Sequence, residues 1–223
     1  MIVLFDIDSL LYSSSYGQES AADACNKLDE VYQSIINKIE DYHPIHSLIN
    51  VGLPIGENFR VKLDKNYKAN RKTEKPEFYK DVCDYAIEHY DLYQPRKEEA
   101  DDLVARLWRQ LTDIGEKVII VSIDKDYKQL PCLLYDYHYK RDGLYQISEE
   151  EALRNFFTQM IVGDTADNVN YLKGYGPKKA ESILEGADSV YKYTRRVYTL
   201  FKEMYPSAAR ERFKTCHRLL KIG

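Results

Sequence analysis

Lys117-Val118-Ile119-Ile120-Val121-Ser122-Ile123-Asp124-Lys125-Asp126 is the stretch from which the fold can be read. Lys117–Ile123 is an apolar, β-branched run that stops at a pair of acids, the pattern of a buried strand. Just upstream, Ala100, Leu103, Val104, Leu107, Trp108, Leu111 and Ile114 recur at i, i+3, i+4, i+7. That spacing predicts a helix starting after Pro95 and stopping at Gly115. Outward from this pair the alternation continues. Ile2–Phe5 and Ser47–Val51 read as strands, Leu133–Tyr135 as a weaker one, and Leu28, Val31, Ile35, Ile36 and Ile39 predict a helix over roughly 21–41. Strands alternating with helices predict an α/β fold, a mainly parallel sheet flanked by helices. From Ser148 onward only helical patterns occur. Ser148 and Glu151 form a capping-box signature for a helix reaching about Val162, and Lys173–Pro177 is a glycine-rich turn. The reading is an α/β body over 1–147 and an all-helical part over 148–223. With no linker, repeat or low-complexity stretch between them, the two are expected to form one integrated unit.

The chain has 223 residues, 44% of them hydrophobic and 30% charged, which supports a sizeable core and excludes wholesale disorder. Its longest aliphatic run, Val118–Val121, is far too short for a membrane helix. The opening Met1-Ile2-Val3-Leu4-Phe5-Asp6 lacks the basic region of a signal peptide. Cys25, Cys83, Cys132 and Cys216 are scattered without a C-x-x-C pair, as expected of thiols in a reducing compartment rather than a disulfide frame or zinc site. A cytoplasmic monomer without a membrane partner is expected (host cytoplasm if the chain is phage-encoded). Net charge is −4, yet it is segregated: residues 1–59 carry −7, 60–80 carry +5, 81–172 carry −9 and 173–223 carry +7. Basic blocks flanking acidic ones suit a polyanion-binding rim around an acidic pocket, or ordinary solvated helix faces.

Ligands of parallel sheets collect at the carboxyl ends of the strands. The acids sit where the chain returns to that edge. Asp6 and Asp8 follow the first strand, and Asp124 and Asp126 follow Lys117–Ile123. Glu99, Asp101 and Asp102 open the Trp108 helix, and Asp164 and Asp167 follow the capped helix. Singly, each group has a structural explanation: acids favour a helix's first turn, and Asp-x-Asp forms turns. Together, such carboxylates repel one another unless cations neutralise them, and an all-oxygen set suits Mg²⁺ or Mn²⁺.

The order of these acids, with the segments between them, resembles the 5′-nuclease (flap endonuclease) superfamily. The series runs Asp6-Ile7-Asp8-Ser9-Leu10-Leu11-Tyr12, Asn66-Tyr67-Lys68-Ala69-Asn70-Arg71-Lys72, Glu99-Ala100-Asp101-Asp102 and Ser122-Ile123-Asp124-Lys125-Asp126-Tyr127-Lys128-Gln129-Leu130. It ends with Gly163-Asp164-Thr165-Ala166-Asp167-Asn168 and Gly174-Tyr175-Gly176-Pro177-Lys178-Lys179-Ala180. The likeness is greatest to compact phage 5′→3′ exonucleases and the 5′-nuclease domains of bacterial DNA polymerases, and it spans about residues 2–186.

The resemblance implies a PIN-like sheet, a helical part containing a helix–hairpin–helix, and metal-dependent hydrolysis of phosphodiesters to a 5′-phosphate and a 3′-hydroxyl. The substrates implied are DNA with 5′ ends, flaps or gaps, or RNA–DNA hybrids, in replication or repair. Asp6, Glu99, Asp101, Asp124 and Asp126 would hold or orient one Mg²⁺ or Mn²⁺. Asp164 and Asp167, aided by Asp126 or Asp102, would serve a second about 4 Å away. Residues of about 64–95 would form a small arch over the site. There Lys68 and Arg71, on one helix face, would clamp the scissile phosphate, and Tyr67 would stack on a terminal base. Gly174, Gly176, Lys178 and Lys179 would hold duplex backbone, and the hairpin can take K⁺ in relatives.

Many family members carry an Asp after the second strand, where this chain reads Asn50-Val51-Gly52-Leu53-Pro54-Ile55-Gly56-Glu57-Asn58 before Phe59-Arg60. Asp8 or Glu57 supplies that charge, or the first metal binds more weakly. Two other functions fit parts of the sequence. One is a helix–hairpin–helix DNA-binding module with a decayed active site. The other is a haloacid-dehalogenase-like phosphatase with Asp6 as nucleophile, which gives no role to Glu99–Asp102, Tyr67–Arg71 or Gly174–Ala180.

Overall fold

The computed structural model describes residues 1–71 and 74–223. In chain order the elements are β1 (Ile2–Asp6), α1 (Asp8–Ser15), α2 (Ala21–Tyr42), β2 (Ser47–Val51), α3 (Phe59–Leu63), α4 (Tyr79–His89), β3 (Leu92–Tyr93), α5 (Ala100–Asp113) and β4 (Val118–Val121). There follow a 3₁₀ turn over Lys125–Gln129, β5 (Leu133–Asp136), β6 (Gly143–Gln146), α6 (Glu149–Val162), α7 (Pro177–Leu184), α8 (Val190–Met204) and α9 (Ala209–Leu220).

The strand order is β3-β2-β1-β4-β5-β6, parallel throughout except for the antiparallel β5–β6 hairpin. This is the mainly parallel sheet that the alternating pattern predicts. β1 and β4, both fully buried, lie side by side with Phe5 opposite Val121. The strand order reverses between them. The chain leaves β1 to one side and returns beside it in β4, opening a crevice at their carboxyl ends.

Each face of the sheet is covered. Val3, Phe5, Ile119 and Val121 pack with Leu28, Ile35 and Ile39 of α2 and with Val82 and Ala86 of α4. Ile2, Leu4, Val118 and Ile120 pack with Val104 and Ala105 of α5. Period-two alternation within two neighbouring strands thus feeds two separate cores. A third core joins α6, α7, α8 and α9 around Phe157, Tyr193, Val197 and Phe201, and takes in Tyr67. The predicted capping box is present: Ser148 Oγ accepts from Glu151 N at 3.2 Å, and the Glu151 carboxylate accepts from Ser148 N at 2.8 Å.

The segment expected to form an arch departs from the sequence reading. Lys72 and Thr73 lie outside the described residues. Lys65–Asn70 is a run of turns rather than a helix, and Lys68 has φ of +56°. Lys68 and Arg71 therefore do not share a helix face. They are brought together by a turn in which Arg71 N donates to Lys68 O at 3.1 Å. Further along, α4 packs on α1 and α2 and so belongs to the α/β body.

Candidate active site

Asp6 ends β1, pointing into the crevice beside β4, and is only 6% exposed. Tyr127 Oη donates to its Oδ2 at 2.8 Å and Ser122 Oγ does so at 3.4 Å. Burial, then the charges of Asp8 and Asp124, push the Asp6 carboxyl up to about 8. Asp8, at the first turn of α1, is also raised, chiefly by burial. Its Oδ1 accepts from Leu53 N at 2.7 Å. A Cβ placed on Gly52 would meet that same oxygen at 2.8 Å. Asp8 therefore fills the space of a side chain at 52, directly after β2, where the sequence lacks an acid. Glu57 is exposed and pairs with Lys62 at 3.8 Å, away from the crevice.

Asp101 and Asp124 complete this wall. Asp101 is held well above its ordinary range by burial and by the charges of Asp102 and Glu99. Asp124 is raised by burial, and its side chain caps the 3₁₀ turn by accepting from Asp126 N at 2.9 Å. Asp6, Asp8, Glu99, Asp101 and Asp124 line one open cleft of about 560 Å³ with Lys68, Arg71 and Lys75. The sequence-predicted acids of β1, α5 and β4 thus share a cleft.

Asp126, Asp164 and Asp167 form an adjoining group. Gln159 Nε2 bridges Asp126 Oδ1 at 2.9 Å and Asp164 Oδ2 at 3.0 Å. Burial and the charges of Asp124 and Asp164 lift Asp126 to about 7. Burial raises Asp164, but the Lys125 ammonium at 2.7 Å and hydrogen bonds from Gln159 and Ala166 N together hold its carboxyl below the usual range. Asp167 accepts from Arg71 Nη2 at 2.9 Å, and its backbone carbonyl accepts from Lys68 N at 2.9 Å.

Three predicted residues have a different setting. Asp102 is not open to an ion: Arg60, 1% exposed, donates both terminal nitrogens to its carboxylate, the Nη2 bond being 2.8 Å. Arg60 also donates to Leu219 O at 2.9 Å and Lys221 O at 2.8 Å, tying the start of α5 to the chain after α9. Tyr67 has no free face for stacking, being 4% exposed. Its hydroxyl reaches Glu99 Oε2 at 2.6 Å and Asp167 Oδ2 at 2.9 Å, linking the two acidic groups. Lys68 Nζ bonds Glu99 and lies 3.6 Å from Asp167.

A divalent ion fits this site by its donor chemistry. The acids offer oxygen ligands only, and burial raises Asp6, Asp8, Asp101, Asp124 and Asp126, so that a cation among them would favour their charged forms. Among the described residues no three acidic, histidine or cysteine side chains are already gathered closely enough to hold an ion. Ammonium groups lie among them instead, Lys68 on Glu99 and Lys125 on Asp164.

Sequence reasoning missed Arg60, Tyr127, Gln159 and Lys125 as parts of the site. Each contacts an acid across 33 or more residues of chain, or sits in the motif as a spacer, so only the adjacency of the acids in the sequence hinted at them. At the hairpin, Gly174 has φ of +85°, Pro177 occupies the first turn of α7, and a Cβ on Gly174 or Gly176 would meet nothing within 4 Å. The space beside both glycines is open, with Lys178 and Lys179 exposed next to it. Lys179 Nζ donates to Gly174 O at 3.0 Å.

No helix among the described residues is long and apolar enough to cross a membrane. Residues 1–156 match a family model described as 5′-3′ exonuclease, N-terminal resolvase-like domain. Flap endonuclease Xni of Vibrio vulnificus (strain CMCP6) is 28% identical over 205 residues, covering 85% of this chain and 78% of that protein. DNA polymerase I of Bacillus subtilis (strain 168) is 28% identical over 217 residues, and the match covers 86% of this chain but only 24% of the polymerase. Among solved structures, the bacteriophage T5 D15 protein co-crystallised with metal ions has a TM-score of 0.65 at 15% identity, covering 99% of both chains. That likeness is one of fold. With residues 1–156 matched, the chain belongs to the 5′-3′ exonuclease family.

Proposed function

We propose that the protein is a divalent-metal-dependent 5′ nuclease, a 5′→3′ exonuclease or flap endonuclease. The observation that carries this is the shared cleft: carboxylates from the ends of β1 and β4 and the start of α5 meet the cations Lys68, Arg71 and Lys75 in one open crevice. Asp6, Asp8, Glu99, Asp101 and Asp124 would hold one Mg²⁺ or Mn²⁺, and Asp126, Asp164 and Asp167 a second. Asp8 stands in for the acid missing after β2. Ions held there supply activation of water and neutralisation of charge at phosphorus.

The chain's own groups do the rest. Lys68 and Arg71 face the cleft and clamp the scissile phosphate, the turn at Lys65–Asn70 fixing their spacing. Tyr67 orients Glu99 and Asp167 from beneath, with one hydroxyl proton between two carboxylates. The open turn at Gly174 and Gly176, with Lys178 and Lys179, grips duplex phosphates without reading bases. DNA with 5′ ends, flaps or gaps is the substrate this supports, and the acids retained in the cleft argue against a decayed module. α6 precedes Asp164, where a phosphatase of the haloacid-dehalogenase type needs a strand.

The test is incubation with 5′-labelled flap and gapped DNA, and with p-nitrophenyl phosphate, in Mg²⁺ and in EDTA. Metal-dependent cleavage of DNA alone is expected, abolished in Asp124→Asn while DNA binding persists. Binding without cleavage by the parent protein overturns the nuclease reading.

A further inference from the structure

Beside the carboxylate cleft, and sharing Asp124 with it, lies a second hollow of about 430 Å³. Ser9, Asp124, Lys125, Lys128, Asp136 and Arg141 line it. Its far wall is the β5–β6 hairpin. Asp136, at the end of β5, is 3% exposed, and Arg141 Nε donates to its Oδ2 at 2.6 Å. Arg141 Nη2 donates to Ile123 O at 3.1 Å, so the guanidinium is fixed at the rim of the hollow next to the strand that delivers Asp124. At the tip, Tyr139 is 80% exposed, more than any other large hydrophobic residue. His138 stacks on it at 4.7 Å between centroids, and Lys140 Nζ lies 5.3 Å from its ring.

We infer that this hairpin is a separate nucleic-acid contact: Arg141, with Lys128, takes a backbone phosphate, and Tyr139 stacks on an unpaired or terminal base of the same strand. The proposal rests on the nuclease reading for the identity of the polyanion. Three observations select it. The hollow is lined by three cations against two carboxylates, Asp124 and Asp136; Arg141 pairs with Asp136 and Lys125 with Asp164, which leaves Lys128 and the outer edge of the Arg141 guanidinium to meet a phosphate. A flat aromatic ring held on a basic tip offers a base its face, which simple phosphate cannot use. The hollow is also continuous with the catalytic surface in both directions. It shares Ser9 and Asp124 with the cleft, and Lys125 and Lys128 also border the groove that reaches Pro177 at the start of α7. A strand held at the α7 end thus has a path of cations past the cleft to the hairpin.

The experiment uses the full chain, with Tyr139→Ala, Tyr139→Phe and the double variant Asp136→Asn/Arg141→Gln, which leaves no buried charge unpaired. DNA carries 2-aminopurine either in an unpaired 5′ segment or at the terminal pair of a blunt duplex. Binding is read by anisotropy and fluorescence quenching in Ca²⁺, and cleavage separately in Mg²⁺. The parent and Tyr139→Phe are expected to quench the probe. Tyr139→Ala should lose that quenching and bind about ten-fold more weakly, as deletion of a stacking aromatic does. The double variant should lower the salt slope of binding by about one unit. Quenching of one probe and not the other identifies the unpaired strand or the terminal pair as the source of the base. Unchanged quenching and affinity in Tyr139→Ala, or DNA that neither variant binds differently from the parent, overturns the hairpin contact. Tyr139-dependent quenching in a protein that cleaves no DNA would sustain the contact and overturn the nuclease reading alone.

Discussion

The Asp8 carboxylate occupies the place of the side chain that Gly52 lacks, its Oδ1 lying 2.8 Å from where a Cβ on Gly52 would be. An acid on the first turn of α1 thereby delivers charge to the end of β2, 44 residues downstream. Asp8→Asn is expected to raise the Mg²⁺ concentration needed for half-maximal cleavage by about ten-fold or more, as loss of one oxygen ligand weakens a hard-ion site. Glu57→Gln should leave it unchanged. A metal titration of both variants decides between them, and equal sensitivity would return the role to Glu57.

Asp6 and Asp126 link stability to pH. Their carboxyls are raised to about 8 and about 7 in the folded protein, against about 3.9 when unfolded. Between these values the folded chain holds protons that the unfolded chain has released. Stability of the metal-free protein must therefore be highest below about pH 4 as far as these groups are concerned, and fall as pH rises toward 8. Under the proposed function, Mg²⁺ bound there would take over the neutralising role of the protons. Calorimetry should show that Mg²⁺ raises Tm more near pH 8 than near pH 5, and that Asp6→Asn in EDTA flattens the fall.

Arg60 is the structural counterpart of this metal chemistry. Removing it in Arg60→Met leaves Asp102 buried and unpaired, and is expected to destabilise the protein by about 3–5 kcal/mol. Arg60→Met with Asp102→Leu should recover most of that loss, because the pair's own net contribution is small. Urea denaturation of the single and double variants measures both.

Lys68 sits on Glu99, within the first acidic group. Lys68→Ala is expected to slow the single-turnover step about 10²–10³-fold, the usual loss of a group stabilising transition-state charge. The same variant should need less Mg²⁺, since an ammonium no longer competes for the carboxylates. Loss of DNA affinity with an unchanged chemical step would assign Lys68 to binding.

Lys178 and Lys179 lie beyond the cleft, in the first turn of α7 after the Gly174–Gly176 turn. The double alanine variant should bind duplex DNA more weakly, with the salt slope reduced by about one to two units, and keep its rate at saturating substrate. Identical slopes for parent and variant would remove the start of α7 from the footprint.

Much of this molecule is legible in its sequence. Periodicity alone separates Lys117–Ile123 from the Trp108 helix, and α/β alternation from the helical part after Ser148, because hydrophobic spacing reports directly which face is buried. Order and spacing of the acids likewise mark the cleft, since each lies at an element's end. What periodicity cannot give is partnership between distant side chains. Tyr67 stands in a polar stretch and Arg60 between Phe59 and Val61, and nothing local distinguishes an exposed stacking ring from one buried against Glu99 and Asp167, or a surface arginine from one locked on Asp102. Lys68 and Arg71 have helical spacing, but the chain turns there, with φ of Lys68 at +56°. The composition and pattern of the sequence determined the sheet, its helical cover and the acids at its edge. Only the tertiary structure decided which charges neutralise which, because that depends on distances across loops and on burial, neither of which is encoded by neighbours along the chain.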